Sequence, residues 1–141
     1  MSHDRLRTVF RWITAGGFIG AGAYHFINPA FYLDVIPTIL PNPAFWNALA
    51  GGAEIAGGVG LLVPALRRAA AIGLIVMLVG FVWAHVDILI YPDRSAMGRS
   101  LPYWLLIVRL PFQAVFIALV YWVGLTPRRT PSPDHPVALG G

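Results

Sequence analysis

Apolar residues fall in four long runs along the chain, separated by short polar or proline-rich stretches: Thr8–Asn28, Phe45–Pro64, Arg68–Tyr91 and Pro102–Gly124. Each is long enough to cross a hydrocarbon core as a helix, which takes about 20 residues. The first is too long for the apolar region of a signal peptide, and no small-x-small cleavage site follows it. The pattern predicts an all-α fold: an integral membrane four-helix bundle occupying residues 1–126, followed by a Pro-rich tail, 127–141, expected to be disordered.

Arginine placement orients that bundle. Arg5, Arg7 and Arg11 precede the first run, Arg67 and Arg68 fill the turn between the second and third, and Arg128 and Arg129 follow the fourth. The opposite loops carry only Arg94 and Arg99. The positive-inside rule then predicts that both termini are cytoplasmic.

The two outer loops differ. Pro29–Ala44 reads PAFYLDVIPTILPNPA and is too apolar for a solvated connection, while Pro37, Pro41 and Pro43 forbid one continuous helix. It reads as a flap over the outer mouth of the bundle, with Phe31, Tyr32, Ile36 and Ile39 against membrane or bundle and Asp34 turned to water or a cation. A segment lying passively in the headgroup layer is the alternative. Pro92–Leu101 reads as an ordinary polar loop.

Small residues supply the packing surfaces, because apolar burial does not drive helices together in lipid. Ala48, Gly52, Ala56 and Gly60 recur every four residues in the second run, with Gly51, Gly57 and Gly58 as a second small face. Gly16 and Gly20 in the first run, and Gly73 and Gly80 in the third, are expected to pack likewise.

Composition narrows the function. Of 141 residues, 57% are hydrophobic and only 11% charged, against roughly 25% charged in an average soluble domain. The ten basic residues are all arginines and are dispersed, so a nucleic-acid partner is not expected. Cysteine is absent, which excludes disulfides, thiolate metal sites and thiol redox relays. No Walker or dinucleotide-binding glycine motif occurs. The Arg-, Ala-, Gly- and Pro-rich composition suits a GC-rich bacterial genome and hence a multi-pass location in the cytoplasmic membrane.

Ionisable residues inside the runs cost at least ~2.5–3.5 kcal/mol each at a helix centre, so they are functional candidates. They are His25, Glu54, His85, Asp87 and Arg109, with Gln113 beside them. Counting ~1.5 Å per residue puts all of them in the outer half of the membrane, with nothing comparable in the inner half. Turning 100° per residue puts Asn47, Ala50, Gly51, Gly57, Gly58 and Leu61 on the face of Glu54, and Thr14, Phe18, Ala21 and Gly22 on that of His25. Both side chains therefore point inward. Asp87 shares the Gly73/Gly80/Ala84 face and is expected inside; His85, about 160° away, is left open between interface, partner and cavity rim. Glu54 and Arg109 match in depth and charge and are expected to pair, directly or through His25 or Gln113. Such a pair is either a structural clasp or part of a ligand site. Pro111 is expected to kink the fourth helix beside it. No HxxxH or ExxH pair occurs, so no metal is expected.

The runs GAYHFINPAFYLDVIPTILPNPAFWN and GGAEIAGGVGLLVPALRRAAAIGLIVMLV, followed by Ala84–His85 and by RLPFQ at Arg109–Gln113, resemble DoxX-like membrane proteins over roughly Gly16 to Trp122. The resemblance implies a four-span bundle with both termini inside and marks His25, Pro29, Pro37, Glu54, Arg109, Pro111 and Gln113 as motif positions. By analogy it implies an accessory subunit of a membrane redox system that binds a quinone-like ligand through His25, Glu54 and Arg109. Gln113, Asp87 and Tyr32 join them as candidate ligand-binding residues, Asp87 from its place in the chain and not from the resemblance. With no redox-active residue pair, the chain alone is not expected to be a complete oxidoreductase. The alternative is a non-enzymatic binding or assembly factor whose polar cluster is structural, with another membrane protein or a second copy as partner. A transporter is disfavoured, since four packed spans leave little lumen.

Overall fold

A computed structural model describes residues 3–127; the rest of the expected tail lies outside the described residues. Within them the protein is all-helical: α1 (His3–Ile27), α2 (Pro29–Leu33), α3 (Pro43–Leu62), α4 (Arg67–Ile90), a 3-10 turn (Pro92–Arg94), α5 (Ala96–Ser100) and α6 (Tyr103–Gly124). The four long helices lie on the four apolar runs, with α1 beginning earlier, at His3. They form a ring in which α1 packs on α3 and α6, and α4 packs on α3 and α6. α6 remains helical through Pro111.

Glycine sets how closely the helices approach. A Cβ on Gly22 would lie 2.6 Å from the Gly51 carbonyl oxygen, and one on Gly58 would lie 2.8 Å from that of Ala15. The α1 and α3 backbones therefore touch, as small residues allow in helix pairs. Gly57 receives the Leu74 side chain and Gly60 the Ala70 methyl, seating α4 on α3. Gly16, Gly17, Gly20 and Gly52, by contrast, would meet nothing within 4 Å. The expected Gly16/Gly20 seam and the Ala48–Gly52–Ala56 stripe thus face outward, and the second small face of α3 makes the contact instead. The same open space surrounds Gly73 and Gly80, for a different reason given below.

Phe18, Leu61, Leu74, Leu78 and Val120 form the interior. The outward face is also apolar: Ile13, Val76, Trp83 and Val115 are each more than half exposed. α4 and α6 are long and apolar enough to cross a membrane.

Arginines close the end of the bundle that holds the start of α1. Arg11 Nε donates to the Val123 carbonyl at 3.0 Å, and Arg7 donates to the carbonyls of Thr126 and Pro127. Arg67 Nε donates to Leu61 O at 3.1 Å. These are last-turn carbonyls of α6 and α3 and residues just beyond α6, where the helix dipole favours cations. Arg7 and Arg11 are buried, so the expectation that this end holds no buried charge is corrected. A helix C-terminus presents bare carbonyls that a guanidinium can satisfy.

At the other end, Pro92–Leu101 is not a plain polar loop. Ser95 caps α5 by accepting from Gly98 N at 2.9 Å, and Gly98 packs against the Pro92 backbone. Asp34, half-buried, does more than face water or a cation: its Oδ2 accepts from Ala96 N at 2.7 Å and Met97 N at 3.3 Å. The flap after α1 is thereby tied to the loop between α4 and α6. Asn42, in the left-handed conformation that asparagine tolerates, turns the chain from flap to α3 and accepts from Phe45 N.

Candidate functional site

His25 sits in the last turn of α1, opposite Asn47 near the start of α3. Asn47 Nδ2 donates to the His25 carbonyl at 3.0 Å, which leaves Asn47 Oδ1 as the acceptor for His25 Nδ1, 2.8 Å away. The imidazole hydrogen is therefore on Nδ1, and in the neutral ring Nε2 carries the lone pair. Nε2 faces Glu54 Oε2 at 3.6 Å. Both atoms are buried and neither has a hydrogen-bond partner. Tyr32, from α2, stacks on the imidazole with ring centroids 3.4 Å apart and planes 16° from parallel. Burial, with the Glu54 carboxylate nearby, pushes the Tyr32 phenol above its ordinary pKa.

These groups form one wall of a cavity of about 680 Å³. The opposite wall is α4, where Gly73 and Gly80 lack the side chains that would otherwise fill it. Phe31, Tyr32, Val35, Ile36, Pro37 and Leu40 roof it. Leu49, Val76 and Trp83 line the cavity and are also exposed, so it opens sideways between α3 and α4. The cavity is of the size that encloses a small ligand or a single apolar tail.

The structure divides the expected site residues. His25, Glu54, Tyr32 and Arg109 all line the cavity, and so does His85, whose position the sequence left open. His85 Nδ1 donates to Phe81 O at 2.7 Å, so its Nε2 is the unengaged nitrogen. The expected Glu54–Arg109 pair does not form. The carboxylate faces His25, and no carboxylate among the described residues lies within 4.0 Å of the Arg109 guanidinium. The reason is close packing: α3 lies against α1 through glycine, which brings Glu54 to His25, whereas Arg109 reaches the cavity from α6 on the far side.

Gln113 is buried but outside the cavity, donating to Leu78 O at 2.7 Å and so joining α6 to α4. Asp87 is not inside with the others. It is half-buried in a separate crevice with Asp34, Arg94 and Ser95. Val35, Ile36 and Leu40 line both spaces, so the flap is the partition that cuts Asp87 off from the Gly73/Gly80/Ala84 face of the same helix. Sequence reasoning missed the role of Asn47, although an amide on the Glu54 face of an apolar run was the available signal. Among the described residues no three His, Asp or Glu side chains converge to hold a metal.

The arrangement defines an all-helical protein with a buried, mutually facing histidine–carboxylate pair in a side-opening apolar cavity. The chain belongs to the family described as Domain of unknown function (DUF8561), whose model matches residues 14–124 and thus every residue that lines the cavity. No curated protein and no solved structure matches the chain.

Proposed function

We propose that this chain is a four-span, DoxX-like protein of a bacterial cytoplasmic membrane, with both termini cytoplasmic, whose cavity binds a lipid-borne, quinone-like molecule. In this reading it is an accessory, non-catalytic subunit of a membrane redox system. One observation carries the reading: His25 Nε2 and Glu54 Oε2 are buried and unpartnered, and they stand in the wall of a cavity that opens sideways. Buried polar atoms are rarely left unpaired unless something is meant to meet them. The apolar outward face supports placement in lipid, since soluble monomers seldom expose contiguous apolar surface on this scale. A bound quinone would supply the electron-accepting chemistry. The chain's part is to receive the head group against Tyr32 and His25, exclude water with the flap, and hold a proton between Nε2 and Oε2.

The test uses Trp46 and Trp83, which line the cavity. A short-tailed benzoquinone titrated into the protein in nanodiscs is expected to quench their fluorescence saturably. Gly80→Leu fills the cavity from a position where a Cβ meets nothing within 4 Å, so it should fold and abolish saturation. Equal, non-saturating quenching in both proteins would show simple partitioning into lipid and overturn the reading. Copurification of a larger membrane partner in gentle detergent is expected for a subunit; a solitary chain that still binds the quinone would remove the redox-subunit part.

A further inference from the structure

The titratable side chains lining the cavity are His25, Tyr32, Glu54, His85 and Arg109, and their charges do not cancel. His25 Nδ1 holds its hydrogen on Asn47, so a neutral His25 facing an ionised Glu54 would set two lone pairs against each other across 3.6 Å in a buried space. One proton therefore belongs between Nε2 and Oε2, and whichever atom carries it, the pair is neutral overall. Tyr32 and His85 add no negative charge. Arg109 remains: its guanidinium is always charged, it is half-buried, and among the described residues it makes no ion pair. It lines the same cavity as His85, whose Nε2 is also unengaged. A cation in a low-dielectric cavity is costly without an anion to meet it, and Asp87 lies beyond the flap.

We infer that the Arg109 end of the cavity is a second subsite, which takes a single-chain amphiphile with an ionised carboxylate head, a long-chain fatty acid being the simplest case. The head accepts from the Arg109 fork, and the chain leaves between α3 and α4 past Gly73, Gly80 and Val76. This rests on the cavity being a ligand site and adds a subsite at the end that a quinone against His25 and Tyr32 does not reach. A neutral quinone satisfies the His25–Glu54 end alone and leaves Arg109 unanswered.

The experiment compares dibrominated stearic acid with its methyl ester as quenchers of Trp46 and Trp83, in zwitterionic nanodiscs under alkaline conditions that keep the acid ionised. The two probes share a tail and differ in charge. The acid is expected to bind the wild-type chain at least tenfold more tightly than the ester. Arg109→Gln should erase that preference, while Arg109→Lys, which keeps the charge and loses the fork, should retain part of it. Gly80→Leu should abolish saturable binding of both. Equal binding of acid and ester, or an acid preference that survives Arg109→Gln, overturns the inference; if benzoquinone still binds saturably, the ligand-site reading stands. If acid, ester and quinone all fail to bind the wild-type chain, both fall. Should Arg109→Gln not fold, a reduced but surviving preference in Arg109→Lys supports the assignment, and a preference unchanged from wild type overturns it.

Discussion

At the scale of single residues, Asn47 has the most to do per atom. Its amide holds the His25 carbonyl with one end and the imidazole Nδ1 with the other, fixing both the α1–α3 register and the direction of the free ring nitrogen. Asn47→Ala orphans two buried groups, each worth about 1–3 kcal/mol, and should lower the melting temperature of the detergent-solubilised protein. Asn47→Asp keeps an acceptor for Nδ1 but offers no donor to the carbonyl, and it adds a buried charge, so it should be no milder. A melting temperature unchanged by Asn47→Ala would show that the amide bridge does not hold the helices. Much of this face was legible in advance: stepping 100° from Glu54 picks out Asn47, Ala50, Gly51, Gly57, Gly58 and Leu61, and all but the half-buried Ala50 are buried. The same arithmetic could not say which neighbour Glu54 meets. Depth and charge favoured Arg109, but those quantities ignore azimuth between helices, and it is the glycine contact with α1 that selects His25.

At the scale of elements, two adjacent glycines of α3 make opposite predictions. A Cβ at Gly51 would lie 2.7 Å from His25 Cβ and 3.0 Å from the Gly22 carbonyl oxygen, whereas one at Gly52 meets open space. Gly51→Val must therefore pry α3 from α1 and displace His25, a cost in the range of overpacked cores, typically about 1–3 kcal/mol or more. Gly52→Ala should be neutral or gain up to about 1 kcal/mol from reduced backbone freedom. Parallel thermal melts check the pair, and similar losses in both would deny the close α1–α3 approach. A period-four stripe in the sequence pointed to Gly52 and Ala48 as the contact face, because spacing identifies a small face without identifying its partner. The flap shows a similar limit. Its proline spacing announced an irregular apolar segment, and it does roof the cavity, yet its anchor is Asp34 reaching the α5 amides sixty-odd positions away. Nothing local to either segment encodes that bond.

For the whole molecule, the strongest constraint is that its two ends differ. Arg7 reaches the carbonyls of Thr126 and Pro127, so the beginning of α1 and the end of α6 share one end of the bundle with Arg67. The flap, α5 and the roof of the cavity occupy the other. In the proposed topology, where the positive-inside rule puts the arginine-capped end in the cytoplasm, the cavity would lie toward the outer leaflet, within reach of molecules moving laterally in lipid. Because the chain has no cysteine, single cysteines report sidedness without background. Ser100→Cys, in α5, is expected to react with a membrane-impermeant maleimide added outside spheroplasts. Thr126→Cys, which leaves intact the backbone carbonyl that Arg7 uses, should react only after the membrane is opened. The reverse pattern would invert the protein and place the cavity in the inner leaflet. Labelling of both positions from outside would mean that α6, the one long helix between them, does not cross the bilayer, and hence that α1, α3, α4 and α6 do not cross it as a bundle.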